Sequence, residues 1–272
     1  MCRHLAYVGP PVTLGRLLSE PEHSLVHQAW QPRRQRSGTI NADGFGVGWY
    51  AEGDPVPARY RRAGPVWGDL TFADLARVVR SGAVLAAVRD ATRAGADGEA
   101  AAAPFADGPW LFSHNGVVRD WPDAAGPLAA GLPPEALLRL AARTDSAFVW
   151  ALVLARLRAG DDLGTALAEP VRELSTAAPG SRLNLLLTDG VTIAATAWGD
   201  SLWYLTDATA TAAGTDATGT GTGTGRTVVA SEPYDDDPRW CEVPDRTLLT
   251  ATRSRIRLTP LKENPPSGKE CP

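Results

Sequence analysis

The chain has 272 residues, enough to bury a sizeable core in one large domain or two small ones. Its hydrophobic content of 44% is that of a globular protein, and its net charge of −4 gives no electrostatic case for nucleic acid or an anionic membrane surface. The three cysteines, Cys2, Cys241 and Cys271, have neither the pairing nor the spacing of a disulfide framework or a cysteine metal site.

Read in chain order, Leu5–Val8 is a short apolar run that predicts a buried strand with Cys2 at its start. Val12–Leu18 predicts a short helix. His23 and His27 would share a helix face, but no carboxylate partner of the metalloprotease kind is near, so no metal site is expected. Gln31–Ser37 is polar and arginine-rich, a loop. Asn41–Tyr50 reads as a turn running into a strand, with Gly44, Gly46 and Gly48 alternating with Phe45, Val47 and Trp49. That alternation places the three glycines on one face, where something must approach the backbone closely.

Asp69–Arg80 has helical periodicity, and Ala83–Val88 is a core strand that delivers Arg89 at its end. Ala94–Pro104 reads as a surface loop. Trp110–Phe112 is a strand ending at Ser113-His114-Asn115-Gly116, where Asn-Gly is also a hairpin signal. Pro134–Ala142 and Ser146–Ala159 read as helices, the second with Asp145 as its N-cap. Leu183–Leu187, Val191–Trp198, Leu202–Leu205, Val228–Ala230 and Thr247–Thr250 are strands, with an Asp189-Gly190 hairpin between the first two. The Thr/Gly run at about 208–227 reads as a flexible loop, and 262–272 as a disordered tail. The remainder, 2–261, reads as a single domain.

Cys2 carries the chemistry. A small residue at position 2 permits removal of Met1, which leaves a thiol and a free α-amine on one residue. The amine is then a base beside its own nucleophile. No secretion signal precedes it and no apolar run reaches membrane length, so a cytoplasmic protein is expected.

Five stretches occur in order: Met1-Cys2-Arg3, Asp43-Gly44-Phe45-Gly46, Arg89-Asp90-Ala91-Thr92, Phe112-Ser-His-Asn-Gly116 and Thr144-Asp145-Ser146. Over roughly the first 160 residues the chain resembles the class II glutamine amidotransferases. The resemblance implies an α+β fold, a four-layer αββα sandwich of the N-terminal-nucleophile hydrolase type, forming a glutamine amidotransferase type-2 domain over 2–261. It implies Cys2 as the nucleophile that forms a thioester, with Asn115 and Gly116 as oxyanion donors. It implies Arg89 on the substrate α-carboxylate and Asp145 on the α-ammonium. Thr92 and His114 join them as substrate-binding residues, His114 being equally readable as structural. Asp43 and Gly44 lie beside the nucleophile as supporting residues. No metal or cofactor is implied.

Two departures stand out. Gly95 follows Ala91-Thr92 one residue later than in the family pattern, and Ala147 follows Thr144-Asp145-Ser146 where glutamate is usual. Along the whole chain, Met1–Tyr7, Arg33–Tyr50 and Ala230-Ser-Glu-Pro233 resemble the family's ergothioneine-biosynthesis branch. That branch implies hydrolysis of γ-glutamyl-hercynylcysteine sulfoxide, releasing glutamate. A hydrolase of other γ-glutamyl peptides, glutathione-like, or a glutaminase subunit serving a separate synthase stays open, as does a homo-oligomer. The expected partner is a small γ-glutamyl substrate. Nine tryptophans include Trp67 and Trp110 near the motifs, candidates for holding the trimethylammonium group of a hercynyl moiety.

Overall fold

The computed structural model describes residues 2–35, 38, 40–91, 98–207 and 225–262. Most of the Thr/Gly run, nearly all of the tail, and Thr92 lie outside them. Among the described residues, thirteen strands form two antiparallel sheets. The first contains β1 (Arg3–Thr13), β2 (Phe45–Trp49), β3 (Ala58–Arg62), β4 (Arg80–Val88), β9 (Trp203–Thr206), β10 (Thr227–Ala230) and β11 (Cys241–Glu242). The second contains β5 (Phe105–Asp107), β6 (Trp110–Val117), β7 (Arg182–Thr188), β8 (Ile193–Ala197), β12 (Thr247–Ala251) and β13 (Ile256–Pro260). Their orders are β11-β9-β10-β1-β4-β2-β3 and β13-β12-β8-β7-β6-β5.

Side-chain alternation builds the layers. Leu5 and Tyr7 of β1 face a core shared with α1 (Leu14–Leu18), α2 (Leu25–Gln28) and α3 (Leu70–Val78). Ala6 and Val8 face the other way, onto Leu111, Leu186 and Ile193 of the second sheet. That sheet's outer face carries Phe112, Leu185 and Leu187. They pack beneath the α6 (Asp145–Arg158) and α7 (Leu163–Ala177) helices, flanked by α4 (Gly126–Ala129) and α5 (Pro134–Leu138). The result is helix, sheet, sheet, helix, the αββα sandwich expected.

Several expectations change in detail. The 163–177 segment, assigned no element above, is a helix capped by Asp162 despite Pro170 inside it. Helix α6 starts one residue earlier than expected, at Asp145, and the N-cap is Thr144, whose side chain accepts from Ala147 N–H. The Asn115-Gly116 pair is not a turn but lies within β6, opposite Asn184 and Leu183. The region around 94–104 is not all surface: Ala101, Ala102 and Pro104 are buried. A Cβ at Gly46 would overlap the Ala103 carbonyl oxygen, which is the close approach that the glycine alternation predicted.

Candidate active site

The first sheet aligns one row of strand ends. Arg3 stands opposite Val88, Val88 opposite Phe45, and Phe45 opposite Arg62. Cys2, just before β1, and Arg89, just after β4, therefore emerge side by side. They line a narrow cavity together with Ser113, His114 and Ser146. Cys2 is partly buried. Burial pushes its thiol above the ordinary value, while the positive amino terminus, the Asp90 N–H and the Arg89 guanidinium pull it back, and Asp145 adds to the rise.

The Asp43-Gly44 turn is clasped onto the Arg89 segment. Asp43 N–H donates to the Arg89 carbonyl at 2.9 Å, and Arg89 N–H donates to the Gly44 carbonyl at 2.8 Å. The Asp43 carboxylate accepts from Ala91 N–H at 2.8 Å, and one Arg89 guanidinium nitrogen donates to the Asp43 carbonyl at 3.1 Å. Gly44 holds φ +138°, and a Cβ there would lie 3.0 Å from the Arg62 carbonyl oxygen, so glycine is needed for the turn.

Asp145 is held by backbone donors at both oxygens. Val118 N–H reaches one at 3.0 Å and Ser146 N–H the other at 2.8 Å. His114 points to the helix side of β6, its Nδ1 3.0 Å from Ser146 Oγ and its Nε2 3.0 Å from the Arg182 carbonyl oxygen. A carbonyl only accepts, so Nε2–H donates to it, while Nδ1 faces the Ser146 hydroxyl. Both ring nitrogens are thus engaged within the protein.

Asn115 points the opposite way, between the sheets, and is fully buried. Its Nδ2 lies 3.4 Å from Ser231 Oγ. That same oxygen accepts from His4 N–H at 3.0 Å, two residues from Cys2. Gly116 has a packing reason of its own. A Cβ there would overlap the Arg182 carbonyl oxygen and lie 2.6 Å from the carbonyl carbon and 2.7 Å from His114 Nε2.

The sequence reading missed the buried polar residues around this centre. Arg3 is fully buried, its Nε donating to Gln35 Oε1 at 3.2 Å, and burial lowers its pKa against the pull of Glu232 and Asp200. Glu232 is fully buried too, accepting Arg33 N–H at 2.9 Å and Arg34 N–H at 2.6 Å. His4 bonds Ser113 Oγ through Nδ1 at 3.1 Å, and burial, with Arg3 and His114 adding, holds it well below the ordinary imidazole value. Arg3 and His4 lie in the motif stretch that opens the chain, and Ser231-Glu232-Pro233 in the stretch after an apolar strand, but nothing local in the sequence joins the two.

Of the two tryptophans singled out, Trp110 opens β6 and packs against the core beneath α6, about 17 Å of strand away from Asn115. Trp67 is 44% exposed and meets Trp30, 42% exposed, edge to face at 5.6 Å.

Residues 19–271 match the family model described as class-II glutamine amidotransferases. The chain belongs to that family. It is 41% identical over 262 residues to the γ-glutamyl-hercynylcysteine sulfoxide hydrolase of Mycolicibacterium smegmatis, covering 96% of this chain and all of that one. A protein of the same name from Mycobacterium tuberculosis is 39% identical, covering 96% of this chain and 97% of that one. Among solved structures, a class-II glutamine aminotransferase domain protein from Silicibacter pomeroyi superposes with a TM-score of 0.63 at 25% identity, over 96% of this chain and all of that one. Among the described residues, no helix is long and apolar enough to cross a membrane.

Proposed function

We propose that this chain is a cytoplasmic amidohydrolase that cleaves the γ-glutamyl amide of γ-glutamyl-hercynylcysteine sulfoxide, releasing glutamate and hercynylcysteine sulfoxide. The observation that carries this reading is the end-to-end likeness to two hydrolases of that name. The cavity lined by Cys2 and Arg89 supports it.

In this reading Met1 is removed and residues 2–261 act as one domain. The Cys2 α-amine takes the thiol proton as Sγ attacks the γ-carbonyl carbon, directly or through a water. The oxyanion receives hydrogen bonds from Asn115 Nδ2 and Gly116 N–H. The amine nitrogen of the leaving group takes the proton as the C–N bond breaks, leaving a thioester on Cys2. Water then attacks the thioester carbonyl, and glutamate and the thiol are released.

The remaining Arg89 N–H groups hold the glutamate α-carboxylate, a planar pairing that lysine would not reproduce. Asp145, oriented by its two backbone donors, takes the α-ammonium. Thr92 completes that subsite. His114 acts by holding Ser146, and through it the Asp145 turn, in place. Trp30 and Trp67 offer aromatic faces to the trimethylammonium group, because the segment carrying Trp67 leaves β3 at the end that lines up with Arg89.

The experiment is glutamate release by the purified chain alone from γ-glutamyl-hercynylcysteine sulfoxide, glutathione and glutamine, side by side. Strong preference for the sulfoxide is expected. Preference for glutathione would replace the substrate with γ-glutamyl peptides. Silence on all three would overturn the stand-alone hydrolase.

A further inference from the structure

Ser231 is where the nucleophile's strand meets the other sheet. It continues the β10 ladder past Ala230, its N–H donating to the His4 carbonyl at 2.9 Å. Its Oγ accepts His4 N–H at 3.0 Å, and its carbonyl accepts the Ser201 hydroxyl at 2.9 Å. Ser231, His4 and Asn115 are all fully buried. The hydroxyl is therefore fixed by β1 and stands against the Asn115 carboxamide.

A serine hydroxyl has one donor and two acceptor lone pairs. His4 N–H uses one lone pair. The 3.4 Å approach of Asn115 Nδ2 is long for an N–H···O bond, and Asn115 Oδ1 meets no protein partner. Half a turn about the last side-chain bond exchanges the two ends of the carboxamide at no steric cost. Oδ1 then accepts the Ser231 proton, and Nδ2 takes the other side. In that arrangement the buried hydroxyl and the amide oxygen satisfy each other. The donor end of the amide is left for a developing oxyanion, where the opposite orientation would present an acceptor to negative charge.

We propose that Ser231 is a positioning residue that sets which end of the Asn115 amide faces the reacting carbonyl. It touches no substrate and acts through Asn115. The inference rests on the reading of Cys2 as nucleophile and Asn115 as oxyanion donor given above.

The test is a double-mutant cycle of Ser231→Ala and Asn115→Ala. It is read by steady-state hydrolysis of whichever γ-glutamyl amide the wild type cleaves, with the iodoacetamide alkylation rate of Cys2 and Tm measured alongside. Ser231→Ala is expected to lower kcat about tenfold or more, below the roughly 100–1,000-fold cost of losing an oxyanion donor itself. KM and the alkylation rate should stay within about twofold. Ser231→Thr, which keeps the hydroxyl, should restore most of kcat. In the Asn115→Ala background, Ser231→Ala should cost less than about twofold. Should Ser231→Ala unfold, Ser231→Cys, close in size and a weak donor, carries the same cycle. An unchanged kcat, or the full loss persisting without Asn115, would overturn the proposal. Either result with wild-type turnover intact touches Ser231 alone, whereas turnover surviving in Cys2→Ala would overturn the reading of the nucleophile.

Discussion

Gly116→Ala separates packing from chemistry at the centre of the site. In an open strand, glycine to alanine stabilises by about 0.5–1 kcal/mol, because alanine has less backbone freedom to lose. At Gly116 the added Cβ would lie 2.6 Å from the Arg182 carbonyl carbon and 2.7 Å from His114 Nε2. Carbon atoms in good contact stand about 3.5–4.0 Å apart, so β6 and β7 must separate by about 1 Å. That movement also strains the 3.0 Å bond from His114 to the Arg182 carbonyl. Overpacking of this kind costs about 1–3 kcal/mol. In a domain of this size it lowers Tm by roughly 2–4 °C per kcal/mol, hence by about 6–12 °C at the upper end. The same displacement moves the proposed oxyanion donors Asn115 and Gly116, and a misplacement of about 1 Å costs on the order of 100-fold in rate. The assay is thermal unfolding and kcat on one preparation. A Tm equal to or above that of the parent, with kcat unchanged, would refute the packing argument and the donor assignment together.

Other outcomes are expected from the same geometry. Asn115→Ala should lower kcat by about 100–1,000-fold with little change in KM, since the oxyanion exists only beyond the ground state; a pure KM effect in steady-state kinetics would contradict this. Glu232→Ala removes a buried acceptor of two N–H groups and the charge opposing buried Arg3. It should cost about 3–5 kcal/mol in urea unfolding, and a loss below about 1 kcal/mol would show that the carboxylate is not needed there. His4 is held neutral in the fold while the unfolded chain takes a proton near pH 6.5. Its contribution to stability is therefore full above about pH 6.5 and is lost as pH falls toward the folded value, by at most about 1.4 kcal/mol per pH unit. His4→Asn should flatten that acid slope between pH 7.5 and 5.5, and parallel slopes in the two proteins would refute it.

The site residues legible in the sequence are those whose chemistry is written in a few adjacent letters. Cys2 at the second position, Arg89 after an apolar strand and Asp145 at a helix start stand out locally as candidates, and the fold brings Cys2 and Arg89 to one cavity. Ser231 and Glu232 were not legible because their partners, His4, Asn115, Arg33 and Arg34, lie about 115–230 residues away and meet only through sheet order. Asn115-Gly116, a hairpin signal when taken alone, lies mid-strand because the neighbouring strand overrides local propensity. The glycine is there for the Arg182 backbone, and the asparagine for the buried layer between the sheets. Helix α7 was missed because Pro170 argues against a helix interior, yet six buried residues, from Gly164 to Leu174, hold it on the sheet around the buried proline. Of the apolar residues that give 69–80 its helical periodicity, α3 buries Phe72, along with Ala76, while Leu70 and Val78 are exposed.

The most direct measurement is intact-mass and peptide mass spectrometry of the active protein before and after reaction with an electrophilic glutamine analogue. The mechanism predicts a chain that begins at Cys2 and takes up one equivalent of the analogue, as a thioether on the Cys2 sulfur, with activity lost in step. An active chain that retains Met1, or an inactivating adduct on exposed Cys241 instead, would contradict it.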